Sequence, residues 1–284
     1  MRESQTPGPG VLRIRLGVKL RRLRESRGIT AQQAAKAIRG SDSKISRIEL
    51  GRHAAREIDV SDLLTLYGVT DPDEREALLG LASQALAPPW WQRNADILPP
   101  WFQAYLGVEE VAESVQSYDT HFVPGLLQTS AYAAGLLARA DFAADEAARL
   151  LQVRAERVER FAAGGWRLDA VIDEAVLHRP VGPQADFAAQ LEQLRDAAGW
   201  PGVTVRIRPL TAGAPLSPAG FTILRFAGSE LPDAVYTEQL TSASYLDRPA
   251  DVARYAAAME MLRESSRPAS QTAASIDTVL AEPG

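Results

Sequence analysis

Four side chains between residues 42 and 47 could contact the edges of nucleic-acid bases. Lys44 and Arg47 carry donors that suit the O6 and N7 acceptors of guanine, and arginine offers the bidentate match. Ser43 can donate to a base edge, and the Asp42 carboxylate can accept from cytosine N4. Asp42 also repels phosphate, so its alternative role is to cap a helix N-terminus. Contacts to the DNA backbone are predicted for Gln32, Gln33, Ser46 and Arg52.

Two short helices joined by a turn are predicted to hold these side chains. Thr30 is a good N-cap for the first, and Ser41 caps a second helix over residues 41–50. Ile45 and Ile48 have the spacing of an inward face, which places the polar side chains outside. The second helix of such a pair lies in the major groove of DNA. Five short helices are predicted in all: 11–27, 31–38, 41–50, 59–67 and 72–87.

Basic residues are concentrated in the same part of the chain. The 284 residues carry a formal net charge of −5. Residues 11–56 hold 13 Lys and Arg against three Asp and Glu, a net charge of +10, so the remainder carries −15. Phosphate contacts supply much of the affinity for nucleic acid, so a basic module on an acidic body favours double-stranded DNA as a partner.

The run from residue 28 to residue 52 resembles the Cro/C1-repressor type of helix-turn-helix, also called the xenobiotic-response-element family. Ser-Lys-Ile-Ser-Arg-Ile-Glu at 43–49 and the following Gly51-Arg52 carry the resemblance. The resemblance implies a structural ion pair between Arg24 and Glu49.

Two positions depart from the family's pattern. The glycine expected in the turn is Arg39, with Gly40 after it, which leaves the entry angle of the recognition helix open. The glutamine usual at the start of the first helix of the pair is Ala31, so a phosphate contact is either lost or moved to Gln32.

The organisation beyond residue 87 is predicted from composition and periodicity. Residues 88–104 are rich in proline and tryptophan and are interpreted as a linker, after an all-α domain at 11–87. Residues 105–266 mix helices, one of them over 103–119, with about four strands, which indicates an α+β domain. Flexible tails are predicted at 1–10 and 267–284. The four strands are expected at 167–172, 203–209, 220–226 and 234–238.

The second domain also resembles a known type. Val-Pro-Gly-Leu-Leu-Gln-Thr at 123–129, Tyr132-Ala133 and the run 171–182 look like the C-terminal domain of actinobacterial regulators of the WhiJ-like type. That resemblance implies regulation by a small partner protein or a ligand, often described as antitoxin-like. It implies no catalytic chemistry.

Other polar and aromatic groups are weaker candidates. Asp173, Glu174 and His178 form the best polar cluster, but two possible ligands four residues apart do not make a metal site. No hydrolase, metalloprotease or Walker-type motif occurs, so we expect neither an enzyme nor a cofactor. Pro124 and Gly125 are interpreted first as a loop before a helix and second as a ligand-gripping loop. For Trp90, Trp91 and Trp101, a structural role that holds the two domains together is favoured over a ligand-binding cage.

The sequence therefore predicts a transcriptional regulator that binds specific DNA sequences as a homodimer. The second domain is either a sensor, with a pocket lined by Trp or Tyr, or an interaction module with an apolar patch. An alternative is an antitoxin-like protein that mainly binds a small partner protein, with DNA binding as autoregulation. There is no cysteine, no signal peptide and no apolar run long enough to cross a membrane, so a cytoplasmic location is expected.

Overall fold

A computed structural model describes residues 9–51, 53–86, 88–140, 142–165, 167–215, 217, 219–227 and 232–281. The chain divides into two compact units. The first comprises residues 1–93, 103–111 and 227–231, and the second comprises 94–102, 112–226 and 232–284, each as far as it is described. The predicted tail at 1–10 falls largely outside the described residues.

The first unit is helical, as the sequence predicts. Five of its α-helices precede residue 86: α1 Pro9–Ser26, α2 Ala31–Ala37, α3 Asp42–Glu49, α4 Glu57–Leu66 and α5 Pro72–Ala85. Their apolar stripes meet in one core, because residues three and four apart share a helix face. Fully buried members of that core are Leu16, Leu20, Ile45, Ile48, Leu63 and Leu64.

The turn between α2 and α3 keeps the geometry of a glycine turn although its central residue is Arg39. Arg39 has φ 51°, in the left-handed region that glycine usually occupies. The Arg39 amide donates to the Lys36 carbonyl at 3.2 Å, and the Gly40 amide donates to the Ala35 carbonyl at 2.8 Å. These two bonds form a Schellman motif, so the backbone of the helix end is satisfied.

The segment predicted as a linker contains helical structure. A 3-10 helix spans Trp90–Asn94, and α6 spans Pro100–Glu109. Trp91 is buried in the first unit, edge-on to Trp90 at 5.4 Å between ring centroids. The prolines therefore begin and end short helices here instead of extending the chain.

The second unit contains a six-stranded sheet, where the sequence predicts about four strands. Its order is β3-β2-β1-β4-β5-β6, with β1, β2 and β3 parallel and β4, β5 and β6 antiparallel. The added strands are β1, which was expected inside a helix over 103–119, and β6. Both contain polar residues, so neither has the apolar run that indicates a strand. The strands are β1 Ser114–Asp119, β2 Arg167–Asp173, β3 Val203–Arg208, β4 Phe221–Arg225, β5 Ala234–Glu238 and β6 Ala243–Leu246.

Five α-helices accompany the sheet in the described part of the second unit. They are α7 Ser130–Leu137, α8 Ala144–Gly164, α9 Gln184–Ala197, α10 Pro249–Glu264 and α11 Thr272–Leu280. Helix α10 packs on one face of the sheet, where Met259 joins Tyr118, Phe221, Ile223 and Val235 in an apolar core. No helix among the described residues is both long and apolar enough to cross a membrane.

The end of the chain is folded where the sequence predicts a mobile tail from residue 267. The Arg267 amide donates to the Ile207 carbonyl of β3 at 2.9 Å. The Thr272 hydroxyl donates to the Val205 carbonyl at 2.6 Å, and Ile276 of α11 is completely buried. Small hydroxyl residues give this segment the composition of a tail, but Thr272 bonds to the backbone at the edge of the sheet, and Ser275 bonds to the Gln271 carbonyl one turn earlier.

Candidate nucleic-acid interface

Helix α3 is held so that one face is buried and the other is exposed. The Ser41 hydroxyl accepts from the Lys44 amide at 3.2 Å and so caps the N-terminus. Ile45 and Ile48 are buried. The exposed positions between residues 42 and 47 are Asp42, Ser43, Ser46 and Arg47.

Glycines allow α1 to approach both the end of α3 and the turn after it. A Cβ atom at Gly17 would lie 2.6 Å from the Glu49 carbonyl oxygen and would also clash with the Ile48 carbonyl. Gly51 ends α3 with φ 67°, and a Cβ there would lie 2.5 Å from Ile14 Cγ1. The C-terminal end of α3 is thus fixed by backbone contacts that only glycine permits at these positions.

Arg24 of α1 connects this helix to α3 and to the start of α2, and its ion-pair partner Glu49 is the one that the resemblance implies. Its Nε donates to Glu49 Oε1 at 2.6 Å and its Nη2 donates to Oε2 at 2.8 Å, a bidentate pair. Its Nη1 donates to the Ile29 carbonyl at 2.9 Å, just before α2. Glu49 is buried, so the pair links α1 to α3 in a protected place, and the hydrogen bond with Glu49 raises the pKa of Arg24.

Lys44, predicted as a base reader, is tied to α4. Its Nζ lies 2.8 Å from Asp59 Oδ2, and Arg56 Nη2 lies 2.8 Å from Asp59 Oδ1. Asp59 is buried, and its hydrogen bond with Arg56, then that with Lys44, lowers its pKa against the effect of burial. Asp59 was missed as a site residue because a single acid in a helix carries no signal until its partners are known.

The residues predicted to contact the DNA backbone lie in different environments. Gln32 is exposed at the start of α2. Gln33 forms a capping box with Thr30: its Oε1 accepts from the Thr30 amide at 2.8 Å, while its own amide donates to the Thr30 hydroxyl at 3.2 Å. Arg52 lies outside the described residues.

The acidic candidates of the second unit have structural partners. The Asp173 carboxylate accepts from the Ala175 amide at 3.1 Å. Glu174 accepts from the Leu210 amide at 2.9 Å and pairs with Arg267 at 2.9 Å. His178 is exposed at the end of the 3-10 helix Glu174–His178. In the part of the chain that the structure describes, no three His, Cys, Asp or Glu residues are grouped to hold a metal ion.

The remaining candidates are divided between the two units. Trp90 and Trp91 belong to the first unit and Trp101 belongs to the second. The Trp101 carbonyl accepts from the Tyr245 hydroxyl at 2.9 Å. Pro124 is buried, and Gly125 lies against a guanidinium, since a Cβ there would be 2.9 Å from Arg157 Nη1.

Comparison with known families finds two family models that match the chain. A family model described as a helix-turn-helix domain matches residues 15–78, which contain α2, α3 and α4. No curated protein and no solved structure matches the chain significantly. A second family model, described as a domain of unknown function (DUF5753), matches residues 102–278, more than half of the chain. The chain has a helix-turn-helix domain and belongs to the DUF5753 family.

Proposed function

We propose that this protein is a transcriptional regulator that binds specific DNA sequences by placing α3 in the major groove. The observation that carries the proposal is the two-sided character of α3. Ile45 and Ile48 anchor it to the core, while Ser43, Ser46 and Arg47 stand exposed. A helix that is rigidly held and polar on its outer face is what major-groove reading requires.

Arg47 is the principal reader in this proposal. Its side chain is exposed and has no hydrogen bond or ion pair within the described residues, so its guanidinium can donate to both guanine acceptors. Ser43 can contact the neighbouring base, and Asp42 occupies the first turn of α3, where a negative charge is favourable. Lys44 acts mainly by fixing α3 to α4, because its ammonium group is already paired with Asp59.

Selection and gel-shift experiments test this assignment. The full chain would first select duplexes from a randomised pool, and binding to the selected and to an unrelated duplex would then be compared at fixed salt. Arg47→Ala should weaken binding to the selected duplex by about 5- to 150-fold, the value of one bidentate base contact, with a much smaller loss on the unrelated duplex.

Gln32→Ala is the matched control in the same two helices. A lost phosphate contact weakens binding to all sequences alike, so both duplexes should lose affinity by the same factor. Equal losses on both duplexes for Arg47→Ala would remove Arg47 as a reader.

We further propose that the protein binds as a homodimer. A single α3, with eight residues, presents too few base-contacting side chains to recognise a long DNA site. Two copies would read half-sites about 34 Å apart on one face of the duplex. Sedimentation of the complex should give two chains per selected duplex. Inserting half a helical turn between the half-sites should abolish tight binding, and a complex of one chain per duplex would contradict the proposal.

A further inference from the structure

The two faces of the sheet in the second unit differ in chemistry. The face under α10 is apolar around Met259, whereas β2 and β3 place Asp169 and Arg206 on it, and Asp169 pairs with Arg263 of α10. On the opposite face a row of hydroxyl groups crosses four strands, because each residue of the row is the register partner of the next. The row consists of Ser117, Thr222, Tyr236 and Tyr245.

This hydroxyl row is not a solvated surface. Ser117 and Tyr236 are only 6 % and 5 % exposed. Farther along the same row, β2 and β3 contribute Ala170 and Val205, both buried. The Ser117 hydroxyl is buried without a hydrogen-bond partner within the described residues. A buried polar group without a partner costs stability, so packing alone does not explain Ser117, whereas the Tyr236 hydroxyl donates to Glu238 Oε2 at 3.0 Å and the Tyr245 hydroxyl donates to the Trp101 carbonyl.

A carboxyl group lies beside the row at the end of β1. Asp119 follows Ser117 by two residues and so points to the same face. Burial raises the pKa of Asp119 to about 7, although the charge of Arg157 opposes the shift. Asp119 Oδ2 has no hydrogen-bond partner in the part of the chain that is described.

Arg154 and Arg157 of α8 reach this polar face of the sheet, and both contact the loop at 123–129. Arg154 Nη1 donates to Gln128 Oε1 at 2.9 Å, and Gln128 in turn donates to the Val123 carbonyl at 2.8 Å. Burial and the charge of Arg157 lower the pKa of Arg154, and Glu238 of β5 opposes this. The Arg157 guanidinium rests on Gly125, where a Cβ atom would lie 2.9 Å from Nη1.

We propose that this face, formed by the hydroxyl row, Asp119, Arg154 and Arg157, is a binding site for a small molecule that carries a carboxylate or phosphate group. Two neighbouring guanidinium groups repel each other, and an oxyanion between them would accept hydrogen bonds from both. Ser117 and Asp119 would bind a hydroxyl or amine next to that oxyanion. Tyr236 and Tyr245, whose ring centroids are 5.2 Å apart, would flank the rest of the molecule.

A titration of the full chain without DNA tests the site, so its outcome is independent of the proposed DNA binding. Inorganic phosphate, and separately acetate, would be added to about 50 mM at constant ionic strength while the amide signals of Ser117, Asp119 and Thr222 are followed by NMR. Saturable shifts of these signals are expected. The anion that saturates at lower concentration identifies the preferred group.

Variants on the same helix provide the comparison. Arg154→Gln should weaken anion binding about tenfold, because one charge-assisted donor is lost. Arg160→Gln removes an arginine that lies on the exposed surface of α8 and pairs with Glu156, so it should leave these shifts unchanged. If the signals do not shift saturably with either anion, or respond equally in Arg154→Gln, the site does not exist.

A further variant separates binding from a structural role. Asp119→Asn keeps the shape and, at about pH 8, where the wild-type carboxyl is ionised, removes a negative charge beside the oxyanion, so affinity for the better anion should rise about threefold or more at that pH. A fall in anion affinity in Asp119→Asn would also overturn the proposal. This readout does not depend on whether Arg154→Gln folds normally.

Discussion

Replacing Gly17 with alanine should separate α1 from the end of α3. The new Cβ would lie 2.6 Å from the Glu49 carbonyl oxygen, whereas ordinary contacts begin near 3.4 Å. One of the two helices must therefore move by about 1 Å, and a backbone carbonyl cannot swing aside as a flexible side chain can. Overpacking of this kind costs about 1–3 kcal/mol.

Gly80→Ala is the matched control for this change. Gly80 lies in α5 of the same unit, and a Cβ there meets no atom within 4 Å. Alanine stabilises a helix interior by about 0.5–1 kcal/mol over glycine, so Gly80→Ala should be stabilising by that amount. The same gain at Gly17 offsets only part of the steric cost, which leaves a net loss of about 1 kcal/mol.

Native-state hydrogen exchange on the full chain would measure both effects locally. The free energy of opening would be determined for the slowest amides of α1 and α3, where it reports the stability of the first unit. Gly17→Ala should lower this free energy and Gly80→Ala should raise it. If Gly17→Ala stabilises the unit as Gly80→Ala does, then α1 and α3 are not in the close contact described here.

Three further changes have expected outcomes. Arg39→Gly should raise the free energy of unfolding of the first unit by up to about 1 kcal/mol, measured in urea, because glycine adopts the left-handed turn without strain. A lower free energy of unfolding would mean that the turn is not strained. Tyr67→Phe should leave the free energy of unfolding unchanged or raise it, since the buried Tyr67 hydroxyl has no hydrogen-bond partner within the described residues. Thermal unfolding would measure this, and a decrease of more than about 1 kcal/mol would reveal a hidden partner. The pKa of Asp119 is raised to about 7, so protonation stabilises the folded state at low pH and this contribution is lost as pH rises through 7. The free energy of unfolding of the wild type should therefore fall relative to Asp119→Asn by up to about 2.5 kcal/mol between pH 5 and pH 8, and parallel pH profiles would contradict the raised pKa.

The sequence was most informative where periodicity and caps agree. The inward face of α3 follows from Ile45 and Ile48, and its N-cap from Ser41, because these features are local. Lys44 was interpreted as a reader from the same local pattern. Its partner Asp59 is 15 residues away, and only the packing of α4 brings the two together.

The second unit was harder to predict for a related reason. Strand β1 has the sequence Ser-Val-Gln-Ser-Tyr-Asp, whose polar residues would indicate a surface segment, yet it lies in the middle of the sheet. Burial of Ser117 and Asp119 depends on β4, β5 and α8, which are distant in sequence. The polar face that these elements form could not be recognised before the strand order was known.

The contacts of residues 267–276 with β3 have a consequence for synthesis of the protein. Helices α1 to α5 are contiguous in the chain and can pair soon after they are made. The sheet instead keeps an open edge at β3 until Thr272 and Ile276 have been added, more than sixty residues after β3 itself. An open edge strand can pair with another chain, so the last helix protects a nascent second unit from aggregation as well as completing its core.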